Sequence, residues 1–280
     1  MEPRFEQFIQ EKKYLANVSA ATCDWYASSL RWLPCPSPDG AQLKEMVMRM
    51  RSAGWKASSC NCVSRAVNSY LHWKSGQTGK CHAACPHVKV SKLKEEQRIL
   101  PTFSVEDIQK IMKWKPKGFW QVRLHVFALL LADTGCRSGE ATGLRWADVD
   151  FDNMLLKLHG KGAKDRLVPF SFELRRHLYR WKQLNRWDLV FPTRQGQHMG
   201  RRNELRGVKL LCKRLGIVVP ARTIHAFRHT FAVNYLRRGG SVFHLQKMLG
   251  HSTLDMTRRY ANLNTQDLQD VHERVSLLAR

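Results

Sequence analysis

Apolar residues recur at three- and four-residue spacing through most of the chain, and that period predicts helices. Between residues 6 and 73 four short helices are expected, separated by polar breaks. The first runs through Phe8, Ile9 and Tyr14; the second opens at Ser19, a favourable capping residue, and carries Trp25, Tyr26, Leu30 and Leu33. Pro34, Pro36, Pro38 and Gly40 interrupt the chain before a third helix with Leu43, Val47 and Met50 on one face. A fourth starts from Lys56 and aligns Val63, Val67, Tyr70 and Leu71. Such stripes pack into a small helical bundle. From residue 74 to 100 large apolar side chains are scarce and lysines frequent, which predicts an exposed linker and a domain boundary near residue 95.

Beyond that boundary Ser104 and Asp107 have the spacing of a helix start, and the mostly apolar stretch 119–132 predicts a largely buried helix. Between Trp146 and Phe170 the period shortens to two. Strands are expected at 149–151, 154–159 and 166–170, with Gly160 and Gly162 permitting a tight reversal. Helices resume towards the C-terminus. The expected fold class is therefore mainly α with a small antiparallel β-sheet, in two domains over residues 1–95 and 96–280.

Charge narrows the function. The chain has 47 Lys and Arg against 23 Asp and Glu, a formal charge of +24. A charge this large repels itself unless a polyanion relieves it, so nucleic acid is the expected partner, with general solubility the bland alternative. The longest apolar run, residues 126–132, is far too short to span a bilayer. The first ten residues mix acids and bases without a signal-peptide core, which points to the cytoplasm. Eight cysteines are scattered along the chain, and reduced thiols are expected. Cys60, Cys62, Cys81 and Cys85, with His82 and His87 nearby, compose an alternative zinc site. A single residue separates Cys60 from Cys62 where zinc pairs usually have about two to four, so free thiols are preferred.

Five motifs carry candidate chemistry: Thr134-Gly135-Cys136-Arg137-Ser138-Gly139-Glu140, Gly160-Lys161-Gly162-Ala163-Lys164, His225-Ala226-Phe227-Arg228-His229, Leu249-Gly250-His251 and Thr257-Arg258-Arg259-Tyr260. In the first, glycine on both sides of Arg137 lets the backbone turn and present the arginine inward. A phosphodiester attacked in line gathers negative charge on its equatorial oxygens, and permanently charged, forked guanidinium groups bind those oxygens. Arg137 and Arg228 suit that role. His225 and His251 can donate to the same oxygens or carry protons. A lysine at a hairpin tip can protonate a departing sugar oxygen, and both Lys161 and Lys164 lie there. Tyr260 can attack phosphorus and store the bond as a phosphotyrosine, although a phenol ordinarily keeps its proton to pH about 10 and must be activated. Each residue alone has a duller reading: a surface ion pair for Arg137, a half-buried amphipathic ring for Tyr260, a helix cap for His251.

In this chain order the motifs strongly resemble the tyrosine recombinase family of phage integrases and Xer-type enzymes, whose catalytic domain carries Arg, Lys, His-x-x-Arg, His or Trp, and Tyr. The resemblance covers residues 101 to about 263, whereas the N-terminal bundle matches only in size and helical character. It implies a helical, SAM-like core-binding domain over 1–95 that clamps double-stranded DNA together with a mixed α/β catalytic domain over 96–280. It further implies a catalytic set of Arg137, Lys161, His225, Arg228, His251 and Tyr260, with His225 as base, His251 on phosphate and Lys161 rather than Lys164 as general acid. Glu140 would orient Arg137, and Cys136 would only pack. No metal and no cofactor are expected.

The activity implied is site-specific recombination through a 3′-phosphotyrosine and a Holliday junction, as in DNA integration or transposition by a mobile genetic element. A homo-tetramer on DNA follows from the same resemblance, with the apolar stripe Leu263, Leu268, Val271, Val275 and Leu278 packing into a neighbour. The basic segment Arg201, Arg202, Arg206, Lys209, Lys213 and Arg214 reads as a helix that tracks a phosphate backbone or as a solvated face, and Lys12, Lys13 and Arg31 are further DNA candidates. No arm-binding domain is evident before the bundle, so a simple recombinase is expected. The competing readings are a non-catalytic DNA-binding protein of the same fold and a monomeric tyrosine-type topoisomerase.

Overall fold

Amphipathic helices whose stripes need a partner account for most of the first part of the chain. In a computed structural model, residues 2–76, 88–95, 101–160, 165–258, 260, 272–273 and 276 are described. The chain divides into two units, Met1–Arg98 and Ile99–Arg280. The first contains α1 (Pro3–Tyr14), α2 (Ala20–Leu30), α3 (Gly40–Ser52) and α4 (Ala57–Lys74). Phe8, Leu30, Met50, Val67 and Tyr70 are fully enclosed at its centre. Phe8 meets the rings of Tyr26 and Tyr70 edge-on, an arrangement that aromatic quadrupoles favour. Details differ from the sequence reading: Tyr14 is exposed, Leu33 is buried beyond the end of α2, and the Ser19 hydroxyl pairs with that of Thr22 rather than capping an amide.

Residues 88–95 are largely exposed, as composition predicts, but they are held against the bundle. Val90 and Leu93 pack on the bundle core, and two α4 side chains hold the backbone. The Asn68 amide donates to the Val90 carbonyl at 2.9 Å and accepts from its N–H at 2.8 Å. Asn61 repeats the pair on Leu93, again at 2.9 and 2.8 Å. Seven helical residues rise about 10.5 Å, and three extended residues span about 10 Å, so the two asparagines match every third residue of an extended chain. Composition misses this because the adhesion depends on asparagine side chains bonding backbone groups and on two apolar contacts rather than on a continuous apolar stripe.

The second unit is built around α6 (Phe119–Thr134), the expected buried helix, with α5 (Val105–Lys113), α8 (Phe172–Leu184), α9 (Arg201–Arg214) and α10 (Thr223–Arg237) against it. The capping box at α5 forms: the Ser104 hydroxyl accepts from the Asp107 N–H at 3.1 Å, and Asp107 accepts in return from the Ser104 N–H. The short α7 (Ser138–Gly143), α11 (Val242–Leu249) and α12 (Leu254–Arg258) complete the described helices. Strands β1 (Val149–Asp150), β2 (Leu155–His159) and β3 (Asp165–Pro169) form an antiparallel sheet in that order, with Leu156 opposite both Val149 and Val168. Leu156, Leu158 and Val168 point into the core, as period-two alternation requires. The first strand ends before Phe151 because the Asp150 carboxylate accepts from the backbone of Asp152 and Asn153, starting a turn. No described helix is long and apolar enough to cross a membrane.

Candidate active site

Arg137 sits where α6 stops and α7 begins. Gly135 ends α6 with φ +61°, and a Cβ there would run into the Phe231 ring, so glycine is required both by conformation and by space. Gly139 is different. It lies inside α7 with open space around it, so the reading that both glycines shape the turn is corrected: Gly135 alone does so. Glu140 accepts from the Arg137 backbone N–H at 2.8 Å and from its guanidinium at 2.9 Å.

The same carboxylate takes a two-pronged contact from Arg166 on β3, each arm 2.8 Å long. Burial would raise the Glu140 pKa, but the hydrogen bonds and charge from Arg166 and Arg137 prevail and hold it at about 2. Arg166 escaped the sequence reading as a site residue. Its signal was available: strand alternation places it on the inward face with Val168, where a cation needs a counter-charge.

Arg228 lies on α10, nearly enclosed, and its guanidinium donates to the carbonyls of Gly135 at 2.9 Å and Leu249 at 2.6 Å. Arg137 donates to Gly250 at 3.2 Å and Arg166 to Met248 at 2.7 Å. Three arginines from three elements thus occupy three successive carbonyls at the end of α11. These carbonyls lack helical partners and carry the negative end of the helix dipole, which makes the clustering of like charges tolerable. Gly250 makes the approach possible, being left-handed at φ +63° and within 3.1 Å of Arg166 at the place a Cβ would occupy. Burial and the neighbouring Arg137 lower the Arg228 pKa to about 10, so it remains a cation at neutral pH.

The expected pairing of His225 and Arg228 on one helix is present, and α10 begins after Arg222 in a left-handed conformation unusual for a side-chain-bearing residue. Burial and then Arg201, Arg222, Arg228 and Arg137 lower the His225 pKa, leaving a neutral imidazole inside a cationic field. His251 follows the α11 cap; its Nδ1 bonds the Thr257 hydroxyl at 2.8 Å, and its ring lies parallel to that of Tyr260 with centroids 6.1 Å apart. Tyr260 is buried at 8 % exposure against Ala232, Leu236, Leu245 and Leu249. Its hydroxyl stands 3.2 Å from Nδ1 of His229. His229 was visible in the third motif but carried no assignment, because only the folded chain brings it to the phenol.

The structure brings Arg137, His225, Arg228, His251 and Tyr260 into one neighbourhood. Lys161 and Lys164 lie outside the described residues, as do Cys81, Cys85, His82, His87 and the stripe residues Leu263, Leu268, Val271, Val275 and Leu278. Cys136 is buried, with its thiol pushed up to about 12 chiefly by burial, which suits packing rather than nucleophilic work. Among the described residues no group of three or more His, Cys, Asp and Glu side chains is placed to hold a metal ion. The basic helix α9 buries Val208, Leu211 and Cys212 and turns Arg202, Arg206 and Lys213 outward. Glu204, at 3 % exposure on the same helix, leaves Oε2 without a hydrogen-bond partner. Its pKa is raised by burial, against a hydrogen bond from Ser138 and the charges of His198 and Arg201.

Comparison with known proteins places this geometry. The XerC tyrosine recombinase of Xanthomonas campestris pv. campestris is 27% identical over 283 residues, covering 96% of this chain and 86% of that one. XerA of Pyrococcus horikoshii is 29% identical over 253 residues, covering 86% and 82%. Among solved structures, the Tn1549 transposon integrase bound to circular intermediate DNA superposes with a TM-score of 0.75 at 18% identity, covering 98% and 99% of the two chains. XerH in a post-cleavage complex with palindromic difH gives 0.73 at 18% identity, covering 99% and 84%. Residues 101–267 match the profile of the phage integrase family, more than half the sequence, and the chain belongs to that family, the tyrosine recombinases.

Proposed function

We infer that the chain recombines duplex DNA at a specific site by cutting and rejoining strands through Tyr260. The observation that carries this reading is the convergence of Arg137, Arg166 and Arg228 on the last carbonyls of α11, beside the helix that leads to Tyr260. A half-exposed Arg137 offers its remaining N–H groups to a phosphate, while Arg228 supplies charge from behind. His225 and His251 flank the same space as donors or proton carriers. Attack by the Tyr260 oxygen forms a 3′-phosphotyrosine and releases a 5′ oxygen that takes a proton from Lys161. Reversal with a 5′ hydroxyl from another duplex rejoins the strands, so the phosphodiester energy is kept.

Duplex DNA is the partner supported by the solved relatives, which are complexes with DNA. The first unit acts as the other arm of a clamp, and α9 follows the backbone. Four copies on two sites, joined through their C-terminal tails and passing through a Holliday junction, complete the reaction in the cytoplasm. The likeness to a transposon integrase supports movement of a mobile element. The test is adduct capture. A random-sequence duplex library bearing nicks that release a short fragment after cleavage is incubated with the protein, and denaturant-resistant complexes are recovered. Adducts with the wild type that vanish in Tyr260→Phe support the reading; none with the wild type, or undiminished adducts with Tyr260→Phe, defeat it. Plasmid relaxation at any sequence without recombinant products would favour the topoisomerase reading.

A further inference from the structure

We propose that His229 is a catalytic residue, the base that accepts the Tyr260 phenol proton during cleavage and returns it during religation. This rests on Tyr260 being the nucleophile. The carrying observation is contact: Nδ1 of His229 lies 3.2 Å from the phenol oxygen, within hydrogen-bond reach of a reacting atom. The two rings are 5.5 Å apart and inclined at 44°, so the imidazole edge meets the hydroxyl rather than stacking on it. His225, to which the family resemblance gives the base role, lies one helical turn earlier among Arg201, Arg222, Arg228 and Arg137. That setting suits a phosphate donor. His229 faces the phenol instead.

The proton balance closes without another reactant. As the phenol oxygen bonds to phosphorus its O–H bond breaks, and the proton moves to Nδ1 while Nε2 keeps its own. The bond from phosphorus to the 5′ oxygen breaks, and that oxygen takes a proton from Lys161. Religation runs both transfers backwards. Burial, then His225, Arg228 and Arg222, lower the His229 pKa to about 4, so the ring is neutral and able to accept. An imidazolium there is costly until an anion enters. A phosphodiester between Arg137 and Arg228 offsets those charges, which couples proton transfer to the arrival of DNA.

The test is single-turnover adduct formation on a nicked duplex recovered by the capture experiment, from pH 5 to 9. His229→Ala should slow cleavage on the order of 10²–10³-fold with DNA affinity by mobility shift unchanged. Its rate should climb with pH as hydroxide replaces the base, and added imidazole should restore it about tenfold or more. In His229→Gln the amide fills the space, and imidazole should restore nothing. A His229→Ala rate within threefold of wild type, or a loss equal at every pH and untouched by imidazole, overturns the proposal, as does loss of DNA binding in both variants. Rescue of His225→Ala by imidazole in place of His229→Ala returns the base role to His225. An adduct that persists in Tyr260→Phe removes the nucleophile itself, whatever His229 does.

Discussion

Asn61 in the first unit and Arg228 in the second are both 6 % exposed, yet they are satisfied in opposite ways. The Asn61 amide finds a peptide N–H, a carbonyl and the Glu95 carboxylate, so its loss of water is offset by hydrogen bonds made on the spot. Arg228 keeps a full charge, receives two carbonyls, and lies beside Arg137 and Arg166 with Glu140 as their shared counter-charge. Stability is maximised in the first arrangement and compromised in the second. Positive charge left unmatched inside a fold is what an incoming phosphate requires, and it is a reason the catalytic unit differs in kind from the bundle.

Four substitutions break or sharpen this contrast. Phe8→Ala, which empties the aromatic centre of the bundle, should cost about 3–5 kcal/mol in denaturant unfolding of the first unit. The adduct formed at saturating DNA should still depend on Tyr260. Glu140→Gln leaves Arg137 and Arg166 without their counter-charge and should cost about 3–5 kcal/mol of the second unit's stability. Because its folded pKa lies below the unfolded one, the wild-type carboxylate contributes fully above pH about 4.5, and that contribution should fade as the pH drops towards 2. Urea midpoints of the two proteins should therefore converge in acid.

Asn68→Ala unpins residue 90 and should cost about 1–3 kcal/mol; amide exchange should accelerate at residues 88–95 and not in α6. Glu204→Gln has the smallest effect and the opposite sign. The Glu204 pKa is raised, so the unfolded chain sheds its proton first and the wild type loses stability as pH rises above the ordinary glutamate range. The variant should be more stable at neutral pH by under about 1 kcal/mol, and that slope should flatten.

Much of this architecture was readable from residue order. The capping pair Ser104 and Asp107, the buried run of α6 and the alternation of β2 and β3 are local physics, each specified within a few residues. The hidden features share a cause. Adhesion of residues 88–95 depends on asparagine side chains reading a backbone 22 and 32 residues away. Arg166 gains its role from Glu140 and from Met248, on elements far apart in the chain. His229 and Tyr260 meet only because α10 and the segment after α12 fold against α11.

By itself the sequence determined the helical and strand periods, the excess of cationic charge, and the ordered appearance of Arg137, His225, Arg228, His251 and Tyr260 that marks the family. Tertiary structure decided which arginines share a counter-charge, which imidazole touches the phenol, and which glycine of the first motif is indispensable. The reason is physical. Period and charge are sums over neighbours in the chain, whereas hydrogen bonds of about 3 Å and the field inside a buried pocket depend on distances that only packing sets.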